Sequence, residues 1–353
     1  MKWRDDNVRI TENTLQSQRE NYIDVMKGIG ILLVCLGHTI GVTNEPVNMW
    51  ILSFHMPLFF FVSGMLFYNK DVYKQSFLQF VGHKSFTILI PQITCAFIGF
   101  ITHTGWYVII TKEKQLLEII NFDLLGWFLL ALFLMEIVMW WTLHAKKKWI
   151  PIGVCLLSAV AFFVIPVASK MVDSIIKNAL LDYIWKIAEQ TAIAVVFGFL
   201  GMYARPLVDW YRKKTQYFGV GLFLICISAF LSAQNAPVLM YINDYGNKIL
   251  FFITAIIGIV AVTDLSILLD KSKILAWFGR NSIVIYVVQF AMTMFLANFA
   301  KKLFGWPVGA YPHYFLVFLC VVVLLVPVVY LANAFFPFLF GKRKRNGIVK
   351  QIR

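Results

Sequence analysis

The sequence predicts an all-α, polytopic membrane protein of about ten transmembrane helices with its N- and C-termini in the cytoplasm. Three observations predict it. Of 353 residues, 60% are apolar and 14% charged, with a mean hydropathy of +0.74, whereas a soluble domain carries roughly a quarter charged residues. A core of this length cannot hide so much apolar surface, so lipid must solvate much of it. The apolar residues come in runs of about 20, the length that crosses a bilayer as helix. Finally, the lysines and arginines fall in short clusters between the runs, and the clusters alternate in strength.

Residues 1–21 are polar and charged, which predicts a cytoplasmic N-terminal segment without a cleavable signal peptide. The first apolar run then serves as an uncleaved signal anchor. Successive runs predict spans near 22–42, 47–68, 85–110, 123–144, 149–169, 181–204, 217–234, 249–268, 281–300 and 313–340. Pro57 and Gly64 interrupt the second run, leaving open a partly re-entrant segment there. The transmembrane domain is expected over 22–340, with a basic cytoplasmic tail at 341–353. The loops are too short for a separate domain. The sequence shows no internal repeat, which weighs against transporters built from inverted halves.

Placing the N-terminus inside and alternating gives inner segments with Lys2, Arg4, Arg9 and Arg19, then Lys70, Lys74 and Lys84, then Lys146, Lys147 and Lys148. Arg205, Arg212, Lys213 and Lys214 follow, then Lys271, Lys273 and Arg280, then the tail. The outer segments hold only Lys112, Lys114, Lys170, Lys177, Lys248, Lys301 and Lys302. A miscounted span would scramble this asymmetry. Clusters separated in this way set topology and rest on lipid headgroups, Lys342–Arg345 on anionic ones, and do not form a continuous nucleic-acid surface. Cys35, Cys95, Cys155, Cys226 and Cys320 all lie inside apolar runs, far apart, and read as small apolar residues with no metal-ligand spacing.

Ionisable residues inside spans are costly and therefore functional candidates. The first span, YIDVMKGIGILLVCLGHT, holds Asp24, Lys27 and His38. Lys27 and His38 fall within roughly 20° of one helical face and about 16 Å apart along the axis. The stripe should run from the cytoplasmic headgroups to about mid-membrane, and its ends are too far apart for an Asp–His dyad. Lys27 suits an anion contact and His38 a base; a snorkelling lysine, a helix-terminal carboxylate and a packed histidine are the structural alternatives. Gly28, Gly30 and Gly37 permit close packing or approach of a ligand. In the second span, His55 is a candidate acceptor contact or helper of His38, while Phe59, Phe60 and Phe61 read as packing. Glu189 and Lys186, three residues apart, suggest a self-neutralising pair, and Glu136 an interhelical contact. At the start of the ninth span Arg280 reads equally as a phosphate contact or an anchor, and Ser282, Tyr286 and Gln289 share a face.

These residues resemble those of the acyltransferase family 3 of multi-spanning O-acyltransferases, close to its sugar and polysaccharide O-acetyltransferase branch. Lys27 and His38 in DVMKGIGILLVCLGH meet the family's basic-residue, ten-residue gap, histidine pattern. FHMPLFFFVSG at 54–64, GWFLLALF at 126–133 and GRNSIVIYVV at 279–288 match further segments in order, so the resemblance covers nearly the whole chain. The departures are lysine at Lys27, where many members carry arginine, and Gln289, where many carry histidine; Gln289 is assigned no catalytic part.

The resemblance implies an enzyme of the bacterial plasma (inner) membrane that uses acetyl-CoA, or another acyl-CoA, from the cytoplasm. No metal is implied. The acyl group would pass to a carbohydrate or lipid-linked acceptor at or beyond the outer leaflet. His38 would be the catalytic histidine, with Lys27 and Arg280 toward the CoA phosphates. Ser63 or the Gly64 N–H is a candidate oxyanion donor, and an acyl-His38 intermediate is an alternative route. With no esterase-like domain in the sequence, transfer is expected to finish within the membrane domain or pass to another protein. Two other classes compete: a glycolipid transporter or flippase, with His38 relaying protons, and a binding module without turnover. Trp50, Trp106 and Tyr107 suit either sugar stacking or interfacial anchoring.

Overall fold

A computed structural model describes residues 20–41, 43–68, 75–111, 126–145, 147, 149–173, 176, 178–214, 220–306, 311–345 and 348–351. Side chains of 103–111, 173 and 344–351 are outside that description. The N-terminal segment before Glu20, the loop lysines Lys70, Lys74, Lys112, Lys114, Lys146, Lys148 and Lys177, and the side chains of Trp106 and Tyr107 therefore lie outside the described residues.

Among the described residues twelve helices follow in order: α1 Asn21–Ile40, α2 Pro46–Phe67, α3 Phe77–Lys84, α4 Ile90–Thr111, α5 Phe128–Leu143 and α6 Ile150–Asp173, then α7 Ala179–Lys214, α8 Val220–Ser232, α9 Lys248–Leu268, α10 Lys273–Arg280, α11 Ser282–Phe304 and α12 His313–Phe335. A π turn, Ser85–Leu89, fuses α3 to α4, so this span begins eight residues before the expected 85. Among the described residues, eight helical stretches are long and apolar enough to cross a membrane. The other two expected spans appear as shorter apolar helices, α5 of 16 residues and α8 of 13. The tail carries a two-stranded antiparallel ribbon, β1 Lys342–Arg345 with β2 Ile348–Gln351, that hydropathy did not foretell.

Helix α2 is continuous through Pro57, so the second span is not re-entrant. Small residues let its neighbours close against it. A β-carbon on Gly64 would lie 1.8 Å from the Gly198 carbonyl oxygen of α7, and one on Gly201 would lie 1.9 Å from that of Phe61. Backbone therefore meets backbone along this crossing, as small residues allow where lipid supplies no hydrophobic drive. The phenylalanine run is packing: Phe60 is buried, and Phe59 and Phe60 meet Phe128 of α5 at 5.8 and 5.3 Å. Helices α1, α2 and α7 form the centre, with 61%, 72% and 67% of their apolar windows buried, while only 11% of α6 is covered. Exposed Leu156, Leu157 and Phe163 on α6 mark a lipid-facing side.

One end of the bundle gathers the start of α1, the ends of α7 and α9, and α10. Arg205 bonds Glu20 and Asp209, Tyr22 donates to Asp209, and Arg212 pairs with Asp270 at 3.0 Å. The Arg205 and Arg212 guanidinium groups both lie over the Tyr22 ring, at 5.7 and 5.0 Å. This network ties the first helix to elements about two hundred residues away.

Candidate active site

Two polar layers lie along α1. The inner one begins where α10 crosses it. Gly28 and Gly279 bring the two backbones together: a β-carbon on Gly279 would sit 1.7 Å from the Asp24 carbonyl oxygen, and one on Gly28 2.0 Å from that of Leu275. Gly28 and Gly30 are thus filled by protein, Gly30 by the Phe59 ring and Leu58 at 3.1 and 3.2 Å. The crossing sets Arg280, the last residue of α10, 3.9 Å from the carboxylate of buried Asp24. Lys27 is half-buried one turn along.

Asn281, joining α10 to α11, is held in turn. Its side-chain oxygen accepts from Lys342 Nζ at 3.1 Å and from Asn333 Nδ2 at 3.0 Å, and its amide donates to the Trp277 carbonyl. The tail therefore steadies the residue next to Arg280. Sequence reading had no means to pair these three, which come from the α10–α11 junction, the last turns of α12 and the first residue of β1.

Ser63 belongs to this inner layer rather than beside His38. It donates to Glu136 Oε1 at 2.7 Å, and Lys84 pairs with Glu136 Oε2 at 2.9 Å. Along α2 it lies eight residues, about 12 Å, beyond His55, and Gly64 is packed on Gly198. The oxyanion role expected for this pair thus has no geometric support. Glu136 finds its interhelical partners here, and Lys84 is an internal cation rather than only a topological anchor.

The outer layer holds His38. Helix α1 ends at Ile40 because Gly41 turns into positive φ, +75°, with its N–H on the Gly37 carbonyl. His38 therefore lies in the last turn of α1. Its ring is met edge-on by Phe290 of α11 at 5.3 Å. It is accessible at its surface although protein surrounds it, the combination expected of a side chain lining an opening between helices. No hydrogen bond is made by its ring among the described residues, so both ring nitrogens are available.

Helices α1 and α2 run antiparallel, with Gly37 beside Ile51 and Gly30 beside Leu58. His55 lies between those contacts, about 7 Å inward of His38 along the axis and within electrostatic range of it. Its Nδ1 is 2.7 Å from the Ile51 carbonyl oxygen. A carbonyl only accepts, so Nδ1 carries the proton and the neutral ring keeps Nε2 as acceptor. Trp50 packs on Phe54 at 5.0 Å, and Phe54 lies against Gly258 of α9.

Glu189 lies apart from both layers. Its partner is Lys248, at 2.7 Å, and Asn243 donates to its other oxygen at 2.8 Å. The expected ion pair with Lys186 does not form; Lys186 instead offers its carbonyl to the same Asn243. The start of α9 brings an ammonium that also donates to the Phe162 carbonyl and lies 4.0 Å over its ring, closer support than a neighbour on the same helix supplies. No cluster of three or more His, Cys, Asp or Glu able to hold a metal ion occurs among the described residues.

A sequence model of the family described as acyltransferase domain matches residues 20–333. Nodulation protein NolL of Sinorhizobium fredii is 36% identical over 92 residues, which cover 23% of this chain and 25% of that protein. The chain thus matches about a quarter of that relative's length. No solved structure matches.

Proposed function

This chain belongs to the acyltransferase-domain family and is a multi-pass membrane acyltransferase, and on that premise we propose that it is an O-acetyltransferase. In this reading it carries the acetyl group from acetyl-CoA, or another acyl-CoA, to a hydroxyl of an extracytoplasmic or lipid-linked carbohydrate. The end that holds Asp24 and Arg280 faces the cytoplasm of a bacterial cell, a reading supported by the loop-charge asymmetry.

The observation that carries the proposal is the pairing of layers: a cationic one with Lys27 and Arg280, and an accessible imidazole about 16 Å further along the same helix. CoA phosphates are held at the first, and the pantetheine arm covers the separation. At the second, His38 takes the proton of the acceptor hydroxyl as its oxygen attacks the thioester carbonyl. The C–S bond then breaks, and the departing thiolate recovers a proton from the imidazolium. Atoms and charge balance without a further reactant. Asp24 restrains Arg280, and His55, with its lone pair on Nε2, is an acceptor-side contact.

The test is acetyl-CoA turnover by the full chain in nanodiscs. CoA release that depends on His38, with label appearing in an envelope saccharide extract, supports the reading. Proton-linked glycolipid movement without CoA release would support a transporter instead.

A further inference from the structure

Gln289 and Thr293 carry polar atoms that nothing in the surrounding protein satisfies. Each residue is 1% exposed, and neither Gln289 Oε1 nor Thr293 Oγ1 has a hydrogen-bond partner among the described residues. Buried polar groups are rarely left in this condition, and each one that is calls for an explanation. Thr293, like Thr191, departs from the pattern of several other helical threonines here. Thr94, Thr142, Thr254 and Thr263 each donate to a carbonyl three or four residues back in the same helix, at 2.7 to 3.0 Å. Thr293 makes no such bond, so its hydroxyl is left for something outside its helix.

Helical geometry puts both groups on the side of α11 that looks toward the candidate base. At about 100° per residue, Gln289, Thr293, Tyr286 and Phe290 span about 100° of arc, with Thr293 between Gln289 and Phe290. Phe290 is the residue whose ring meets His38. Gln289 lies at that depth and Thr293 one turn further out.

We propose that Gln289 and Thr293 form a hydroxyl-recognition subsite that binds a second oxygen of a polyhydroxylated acceptor while its reacting hydroxyl lies against His38. The proposal rests on the acyltransfer reading above. A primary amide and a threonine hydroxyl each both donate and accept, which matches neighbouring sugar hydroxyls, themselves donors and acceptors. Neither a thioester nor a hydrocarbon chain makes such demands. A site built to hydrogen-bond a substrate hydroxyl rejects analogues that lack it, because its own buried groups are then left unpaired. The subsite thus makes the enzyme select polyols over simple alcohols.

The test compares wild type, Gln289→Met, Thr293→Val and Thr293→Ser as full chains in nanodiscs, with labelled acetyl-CoA as donor and a saccharide-containing envelope extract of the source cells as acceptor. Methionine and valine keep the volume and remove the hydrogen-bonding groups. The expected result is a rise of tenfold or more in acceptor KM for the Met and Val variants, with kcat falling less than threefold and the acetyl-CoA KM moving less than twofold. Thr293→Ser recovers most of the loss. An unchanged acceptor KM overturns the proposal, and so does a parallel loss in Thr293→Ser or an equal rise in the acetyl-CoA KM. A wild type that releases no CoA at all overturns the acyl-CoA reading beneath it and this proposal with it, a result distinct from the others.

Discussion

Gly28 of α1 and Gly279 of α10 touch through their backbones, so closely that a β-carbon on Gly279 would come within 3.0 Å of the Gly28 nitrogen and 1.7 Å of the Asp24 carbonyl oxygen. This contact turns two short sequence segments, about 250 residues apart, into one site. It sets Arg280 beside Asp24 and fixes the inner end of the helix that carries His38.

Gly279→Ala should therefore cost about 1–3 kcal/mol through overpacking and lower turnover with it. The control is Gly82→Ala, in α3, where a β-carbon meets nothing within 4 Å and the helix gains roughly 0.5–1 kcal/mol from the lost glycine. Thermal midpoints of the two purified variants check this. Equal midpoints would show that the crossing is not tight.

Removing a cation from the inner layer should weaken donor binding more than chemistry. Lys27→Met and Arg280→Met are each expected to raise the acetyl-CoA KM about tenfold, the size of a charge-assisted hydrogen bond of ~1.5–3 kcal/mol. Arg280→Lys should retain part of the affinity, since a point charge replaces a planar fork. Initial rates over a donor concentration series decide it: a pure kcat loss would move these residues to another role.

The Glu189–Lys248 ion pair should matter for folding rather than for turnover. Lys248→Met leaves Glu189 buried at 3% exposure without its partner and is expected to cost about 3–5 kcal/mol. Adding Glu189→Gln should return part of that loss. Lys186→Met should cost only a fraction as much. Denaturation midpoints in one detergent compare the three, and a larger effect at Lys186 would contradict the pairing.

Reading the sequence located the helices because crossing a bilayer demands length and hydropathy together, two properties of a single segment. The Lys27–His38 stripe was legible for the same reason: one helix and one period fix its geometry. Partners were not. A carboxylate such as Glu136 or Glu189 inside an apolar run announces that a counter-charge exists, but Lys84 and Lys248 reach them only through the packing of other helices. Proximity along the chain pointed to Lys186 for Glu189, and tertiary packing overrode it. Ser63 was taken for a neighbour of His38 because position along α2 alone does not show how the two helices register. Gln289 was singled out only for its face and as a departure from the family pattern, and Thr293 escaped notice, because an uncharged polar residue in a span gives little signal until its missing partners are visible.

The central claim is that His38 performs acyl transfer from a CoA thioester. It is tested most directly by labelled acetyl-CoA turnover in nanodiscs with wild type beside His38→Ala, both checked for equal folding and equal binding of acetyl-CoA. The account predicts CoA release by the wild type and a loss of at least about 10²-fold in the variant, the lower end for removing a general base, with donor binding retained. Wild-type turnover surviving in His38→Ala would contradict it.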